Sequence, residues 1–185
     1  MNTIKLTTLA FILLVGSAYT NETDQYDDLR KQSNEAFTYG EQLKYRVHYG
    51  WINAASVDVN VAEKPVKVNG RSTYQVSAYG KTFRSFDWAF RVRDHFISYI
   101  DSQSVAPLKY WKKVEEDNYR DEDLVYYDHD KKKLKGKKKD MDMPAYLQDI
   151  VSSIFYARTI DFQNAATGQS FPINIYLDQE IYDLK

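Results

Sequence analysis

The stretch "LKYRVHYGWINAASVDVNV", residues 43–61, constrains this chain more than any other. Leu43, Tyr45, Val47 and Tyr49 alternate with Lys44, Arg46 and His48. Beyond Gly50-Trp51-Ile52-Asn53 the alternation resumes, with Val57, Val59 and Val61 set against Ser56, Asp58 and Asn60. Successive side chains leave a strand on opposite sides, so a period of two predicts a strand with one buried face. Two such runs around a short Gly/Asn-containing connection predict an antiparallel hairpin.

The rest of the chain extends this theme. Asn69-Gly70 is a strong hairpin turn, because both residues tolerate positive φ, and a third strand is expected near 72–79. Phe83, Phe86 and Phe90 fall at i, i+3 and i+7, the spacing of a short helix. Strands are expected at 89–100 and 108–119, broken at Pro107. A charged hairpin follows, made of 124–128 and 131–139. One convincing helix lies in "DMPAYLQDIVSSIFYARTIDF", where Ile150, Val151, Ile154, Phe155 and Ala157 form an apolar stripe. Asp149 is its expected N-cap, with a start near Pro144 as the alternative. The chain ends with a strand near 172–177 and the beginning of a return strand. Many strands, hairpin turns and one helix define a β-rich α+β class built on antiparallel sheet.

The 185 residues suit one domain, expected over 36–185. Tyrosine is over-represented, with 16 residues, and suits surfaces that are apolar at one end and wet at the other. A net charge of -1 argues against general nucleic-acid binding. No cysteine is present, which excludes disulfides, thiolate metal sites and a cysteine nucleophile. The N-terminus "MNTIKLTTLAFILLVGSAYT" pairs Lys5 with an apolar run over 6–15 and the small residues Gly16 and Ala18. That is the layout of a secretory signal peptide, expected over 1–18. As a helix the run would span about 15 Å, short of a ~30 Å hydrocarbon core. No second apolar stretch follows, so the mature chain is expected to carry no transmembrane segment and to be exported, to the periplasm or beyond. Residues 19–35 are polar and aperiodic, and read as a flexible leader.

Few residues suggest chemistry. Seven lysines crowd 131–139. They read either as a patch for an anionic partner or as a solvated strand whose field is cancelled by Glu115, Glu116, Asp117, Asp121, Glu122 and Asp123; the second reading is preferred. His48, His95 and His129 lack zinc-type spacing, so no metal is expected. Ser152 beside Asp149 resembles a capping arrangement rather than a nucleophile elbow. Neither a phosphate-binding glycine loop nor any other cofactor motif is found. Arg158 falls on the apolar stripe of the helix, where a guanidinium needs a carboxylate or carbonyl partner. A structural ion pair is the preferred reading, and contact with a ligand headgroup the alternative.

Three stretches together, "FTYGEQLKYRVHYGWINAASVDVNV", the Asn-Gly turn and "QDIVSSIFYAR", resemble the exported bacterial family catalogued as domain of unknown function 3108. Phe37, Gly40, Glu41, Leu43 and Tyr45 match its opening F-x-x-G-E-x-L-x-Y. Asp149, Ser152, Phe155 or Tyr156, and Arg158 match its later helix motif. The family often has a glycine where Ala54-Ala55 stand here, and usually continues with further strands, so the domain is expected to lack C-terminal ones. The resemblance implies a curved antiparallel half-barrel similar to bacterial lipoprotein-localisation factors, and it does not imply any enzymatic activity. It gives Gly40, Glu41, Asp149 and Ser152 as structural motif residues, and Glu41 as the expected partner of Arg158. A sheet lined by Tyr45, Tyr49, Trp51 and Tyr74, with Arg158 nearby, either packs as core or leaves a groove for a lipid or other amphiphile. Two functional expectations follow: a non-catalytic envelope protein that binds an amphiphile, or a structural module that binds another envelope protein. An enzyme, most simply a carboxylate-dependent hydrolase, would require two facing carboxylates in an open cleft.

Overall fold

The computed structural model describes residues 29–184. The segment expected to be a signal peptide, the expected leader up to residue 28 and the side chain of Tyr49 lie outside the described residues. The alternating stretch forms the expected hairpin of β1 (Gln42–Tyr49) and β2 (Ile52–Val61), with Leu43 opposite Val59 and Tyr45 opposite Val57. A short β3 (Val66–Val68) leads through Asn69 (φ 49°) and Gly70 (φ 81°) into β4 (Arg71–Thr82). Two successive positive φ angles match the right-handed twist of flanking strands, which is why Asn-Gly sits there.

Strand β5 (Arg93–Asp101), β6 (Pro107–Glu116), β7 (Tyr119–Asp128), β8 (Lys133–Gly136) and β9 (Asp140–Asp142) continue the meander. The nine strands form one antiparallel sheet in the order β1-β2-β4-β5-β6-β7-β8-β9, with β3 on β4. The sheet is open, with β1 and β9 at its two ends and no closure into a barrel. Strand β8 is short because the chain turns back at Gly136, where a Cβ would meet the carbonyl oxygen of Lys139 at 2.7 Å.

One face of the sheet is covered. Val59, Val76, Ile100, Tyr110, Val125, Tyr127 and Leu134 bury their side chains there, in the period of two that the strands dictate. Helix α1 (Ile150–Arg158) packs over them against β5, and contacts β10 (Ile173–Leu177). Asp149 is its N-cap, not Pro144. The Asp149 carboxylate accepts from the Val151 and Ser152 amides, while Ser152 Oγ accepts from the Asp149 amide. The expected stripe is therefore rotated. Ser152 and Ser153 are buried beside Val151 and Phe155, whereas Ile150 and Ile154 are exposed on the flank. The capping box turns its own face to the sheet, and 150 and 154 follow.

Two other expectations are corrected. Residues 83–90 form successive turns instead of a helix: the Phe86 and Asp87 amides both donate to Phe83 O, and the chain is then pinned by Arg93 on Asp87 at 2.7 Å. Residues 30–35, expected in a flexible leader, are held against the domain. Arg30 lies between the rings of Tyr146 and Tyr156, 4.2 and 4.4 Å from their centroids, and Gln32 bonds Gln103 and Thr159. Residues 30–41 thus form a strap across the covered face. At the other terminus β10 pairs with β11 (Glu180–Leu184) as a separate two-stranded sheet, linked to the helix approach by a parallel bridge from Gln148 to Ile175.

The lysine-rich run is laced with acids. Lys133 pairs with Asp142, Lys137 with Glu122 at 3.7 Å, and Lys138 with Asp121. Such pairs at a solvated hairpin are worth little individually, but they offset the field of the run.

Candidate functional site

The inner face has two ends, and the register shows why they differ. At one end the cross-strand row Leu43, Val59, Ala78, Phe96 runs over β1, β2, β4 and β5. Above it stand Ile150, Val151, Ile154 and Phe155 of α1, and Tyr45 with Val57 closes the side. Ala78 is the small member of the row, so the floor is recessed between Val59 and Phe96. The result is an open groove of about 410 Å³. Its lining is aliphatic and aromatic throughout. The Tyr45 phenol is the only side-chain polar group among the residues named.

The other end is closed. Phe37 of the strap packs edge-on against Tyr74 and Phe155, at 4.9 and 4.8 Å between centroids, and Tyr39 stacks on Tyr74 at 4.4 Å. Arg158 lies over Phe155 at 5.0 Å and donates to both Glu41 oxygens, at 3.0 and 2.6 Å, and to Ala36 O at 2.6 Å. The pair is about one-quarter exposed on the arginine and one-fifth on the glutamate, 27% and 19%. Glu41 is positioned by Gly40, whose φ of 79° turns the chain and whose amide donates to Ala62 O.

Asp149 lies beneath the helix, fully buried. Ser98 of β5 donates to its Oδ2 at 2.6 Å, and the Val151 and Ser152 amides donate to Oδ1 at 2.8 Å each. Burial outweighs these donors and pushes the carboxyl from 3.8 up to about 6. The buried phenols of Tyr110 and Tyr127, on β6 and β7, are pushed up by burial and by the nearby Asp149. Asp149 is a joint between helix and sheet, since its oxygens reach both.

The sequence-predicted residues therefore separate. Tyr45 is on the groove. Tyr74 and Arg158 belong to the closed end with Glu41. Trp51 lines neither: it follows Gly50 in the β1–β2 turn, outside the strand alternation, and is 91% exposed. Sequence reasoning missed Phe96, Ala78, Ile150 and Ile154 as groove walls, and Ser98 as the partner of Asp149. The Asp149–Ser152 spacing held the signal, because two capping residues facing the sheet force Ile150 and Ile154 aside. Among the described residues no group of three or more His, Asp or Glu is placed to hold a metal ion, and no helix is long and apolar enough to cross a membrane.

The family model described as "Protein of unknown function (DUF3108)" matches residues 44–185, and the chain belongs to that family. No curated protein and no solved structure matches it.

Proposed function

We propose that this is an exported, non-catalytic protein of the cell envelope that holds the apolar chain of an amphiphile in the groove between α1 and strands β1, β2, β4 and β5. The observation that carries the reading is the groove itself: about 410 Å³, walled by Leu43, Val57, Val59, Phe96, Ile150 and Ile154, and open to solvent. Its size falls within the range of small-molecule sites, and an open apolar trough favours a chain whose polar head stays in water. The lining offers no acid, base or nucleophile beyond the Tyr45 phenol, so binding rather than turnover is the chemistry it supports. The N-terminal layout of Lys5, the apolar run and the small residues supports export.

The test is displacement of a fluorescent fatty-acid analogue, with native mass spectrometry of the loaded protein. Wild type should take up the probe. Ala78→Phe, which fills the floor, and Ile154→Glu, which charges the wall, should abolish uptake while leaving the fold intact. Failure of wild type to bind any single-chain amphiphile overturns the reading.

A second reading, a module that binds another envelope protein, is favoured by one observation. Among the described residues strand β11 pairs with β10 alone, and Tyr182 and Leu184 are exposed on it. Unpaired edges recruit further strands. Crosslinking at 180–184 that captures no protein would remove this alternative.

A further inference from the structure

Trp51 and Trp88 are the two most exposed large apolar side chains among the described residues, at 91% and 85%. Both lie at the same end of the sheet. Trp51 is in the β1–β2 turn and Trp88 in the β4–β5 connection. These two segments touch, because Ala55 pairs with Thr82 and the Phe83 amide donates to Ala54 O at 3.0 Å. Phe90, Ile52 and Val47 are exposed beside them. The Trp88 indole is held in place by its own loop, with Nε1 donating to Ser85 O at 2.8 Å. Single exposed apolar residues are ordinary, but two tryptophans on touching turns with three apolar neighbours are not.

The charge around them has a basic excess. Residues 44–58 hold Lys44 and Arg46 against Asp58, which lies opposite Lys44 in the β1–β2 register; residues 81–94 hold Lys81, Arg84, Arg91 and Arg93 against Asp87 and Asp94. Arg93 neutralises Asp87 at 2.7 Å. Lys44, Arg46, Arg84 and Arg91 are exposed. Further acids lie on β6 and the β6–β7 turn, where Lys113 pairs with Glu115 at 2.7 Å and the Asp117 carboxylate accepts from the Arg91 amide at 2.8 Å.

We infer that this pole docks on the surface of an anionic lipid bilayer, with Trp51, Trp88 and Phe90 seated at the level of the headgroups. Indole rings favour the membrane–water interface because they are apolar in body and polar at one edge. Basic residues just behind them meet anionic headgroups, each adding attraction that decays within a Debye length. The acidic β6–β7 turn tilts the domain so that its β1–β2 side approaches the bilayer. The docking stands whether or not the groove takes a lipid.

Vesicle flotation of the full chain tests it, using phosphatidylcholine vesicles with and without about a third phosphatidylglycerol. Wild type should float with the anionic vesicles, and high salt should release it. Trp51→Ala with Trp88→Ala should weaken binding by roughly tenfold or more. Both side chains are exposed, so thermal melting should be unchanged, and Trp111 remains as a fluorescent reporter of the fold. Lys44→Glu with Arg84→Glu should remove the preference for phosphatidylglycerol. Wild-type fluorescence should shift to the blue on adding vesicles, and the double tryptophan variant should not. Absence of wild-type binding overturns the inference. So does equal binding by the double variant, which would assign the affinity to the apolar N-terminal run. Uptake of the fatty-acid probe without vesicle binding overturns the docking alone and leaves the groove reading standing.

Discussion

The two ends of the inner face are built from one strand and one helix, yet one is core and the other is groove. Along β4, Tyr74, Val76 and Ala78 point the same way. Tyr74 is covered by Phe37 and Tyr39, Val76 is fully buried, and Ala78 is the recessed floor of the open trough. On α1, Phe155 is sealed in while Ile154, one residue away, is 55% exposed. The difference is what lies above. The strap crosses the Tyr74 end, held by Arg158 and Glu41, and turns into β1 before reaching Ala78. Apolar periodicity reports which face a side chain takes. Whether that face becomes core depends on a segment distant in sequence.

Breaking the closed end should have the largest effect. Phe155→Ala removes a ring that packs on Phe37 and sits in the buried cluster, and we predict a loss of about 3–5 kcal/mol in denaturant unfolding. A loss under about 1 kcal/mol would mean that this end is no better packed than the groove.

Asp149 serves both ends, because it fixes the rotation of α1 and so decides which helix residues face the sheet. Its folded value of about 6 lies above the unfolded value of 3.8. The stability it contributes is therefore complete below pH 3.8 and is lost as pH rises through about 6. The loss is on the order of 3 kcal/mol. Asn at this position can accept from the same two amides and donate to Ser98. Asp149→Asn should thus gain on wild type by that amount as pH is raised through the window. Buried His129, pushed down by burial, acts in the opposite sense, with stability lost as pH falls. It is common to both proteins, so the difference between them isolates Asp149. A difference that stays flat with pH would mean the carboxyl is not held in a dry site.

Much of this was legible in advance, for identifiable reasons. The first hairpin, the Asn-Gly turn and the Asp149 cap are local, and each rests on residues within a few positions of one another. The Glu41–Arg158 pair spans most of the chain, yet the resemblance named both partners before the geometry joined them. What escaped was coverage. Tyr45 and Trp51 are six residues apart, but the turn between β1 and β2 takes Trp51 out of the alternation that places Tyr45 on the groove. The polar residues 30–35 carry no periodicity, so nothing local announced that Arg30 would be clamped between two tyrosine rings. Ser98 was missed as well, although a hydroxyl buried on an apolar strand face needs a partner, which Asp149 supplies.

Loosening the latch should sharpen the comparison with a smaller effect. Arg158→Ala leaves Glu41 and Ala36 O without their donor. Hydrogen bonds to charged groups are worth about 1.5–3 kcal/mol, and the partial exposure of the pair places the loss at the lower end of that range. Arg158→Lys should recover only part, because an ammonium cannot make the forked contact to both Glu41 oxygens. Strap release is the readout that matters: amide exchange at 36–41 should accelerate in Arg158→Ala while that of β6 and β7 does not. Uniform acceleration would show that the strap is not a separate unit.

The smallest expected effect concerns Ile154. More than half of its surface already meets water, so Ile154→Ala removes little burial, and we predict a stability loss below about 1 kcal/mol. Ile154 and Phe155 are neighbours on the same helix with the same propensity for it, within a few tenths of a kcal/mol. A contrast of severalfold between the two alanine variants would therefore come from coverage alone. If Ile154→Ala costs as much as Phe155→Ala, the groove is closed over in solution, and the distinction between the two ends disappears. If the contrast holds and an acyl probe protects only the Ile154 side from solvent exchange, the open end is the part of this face that the fold leaves available for binding.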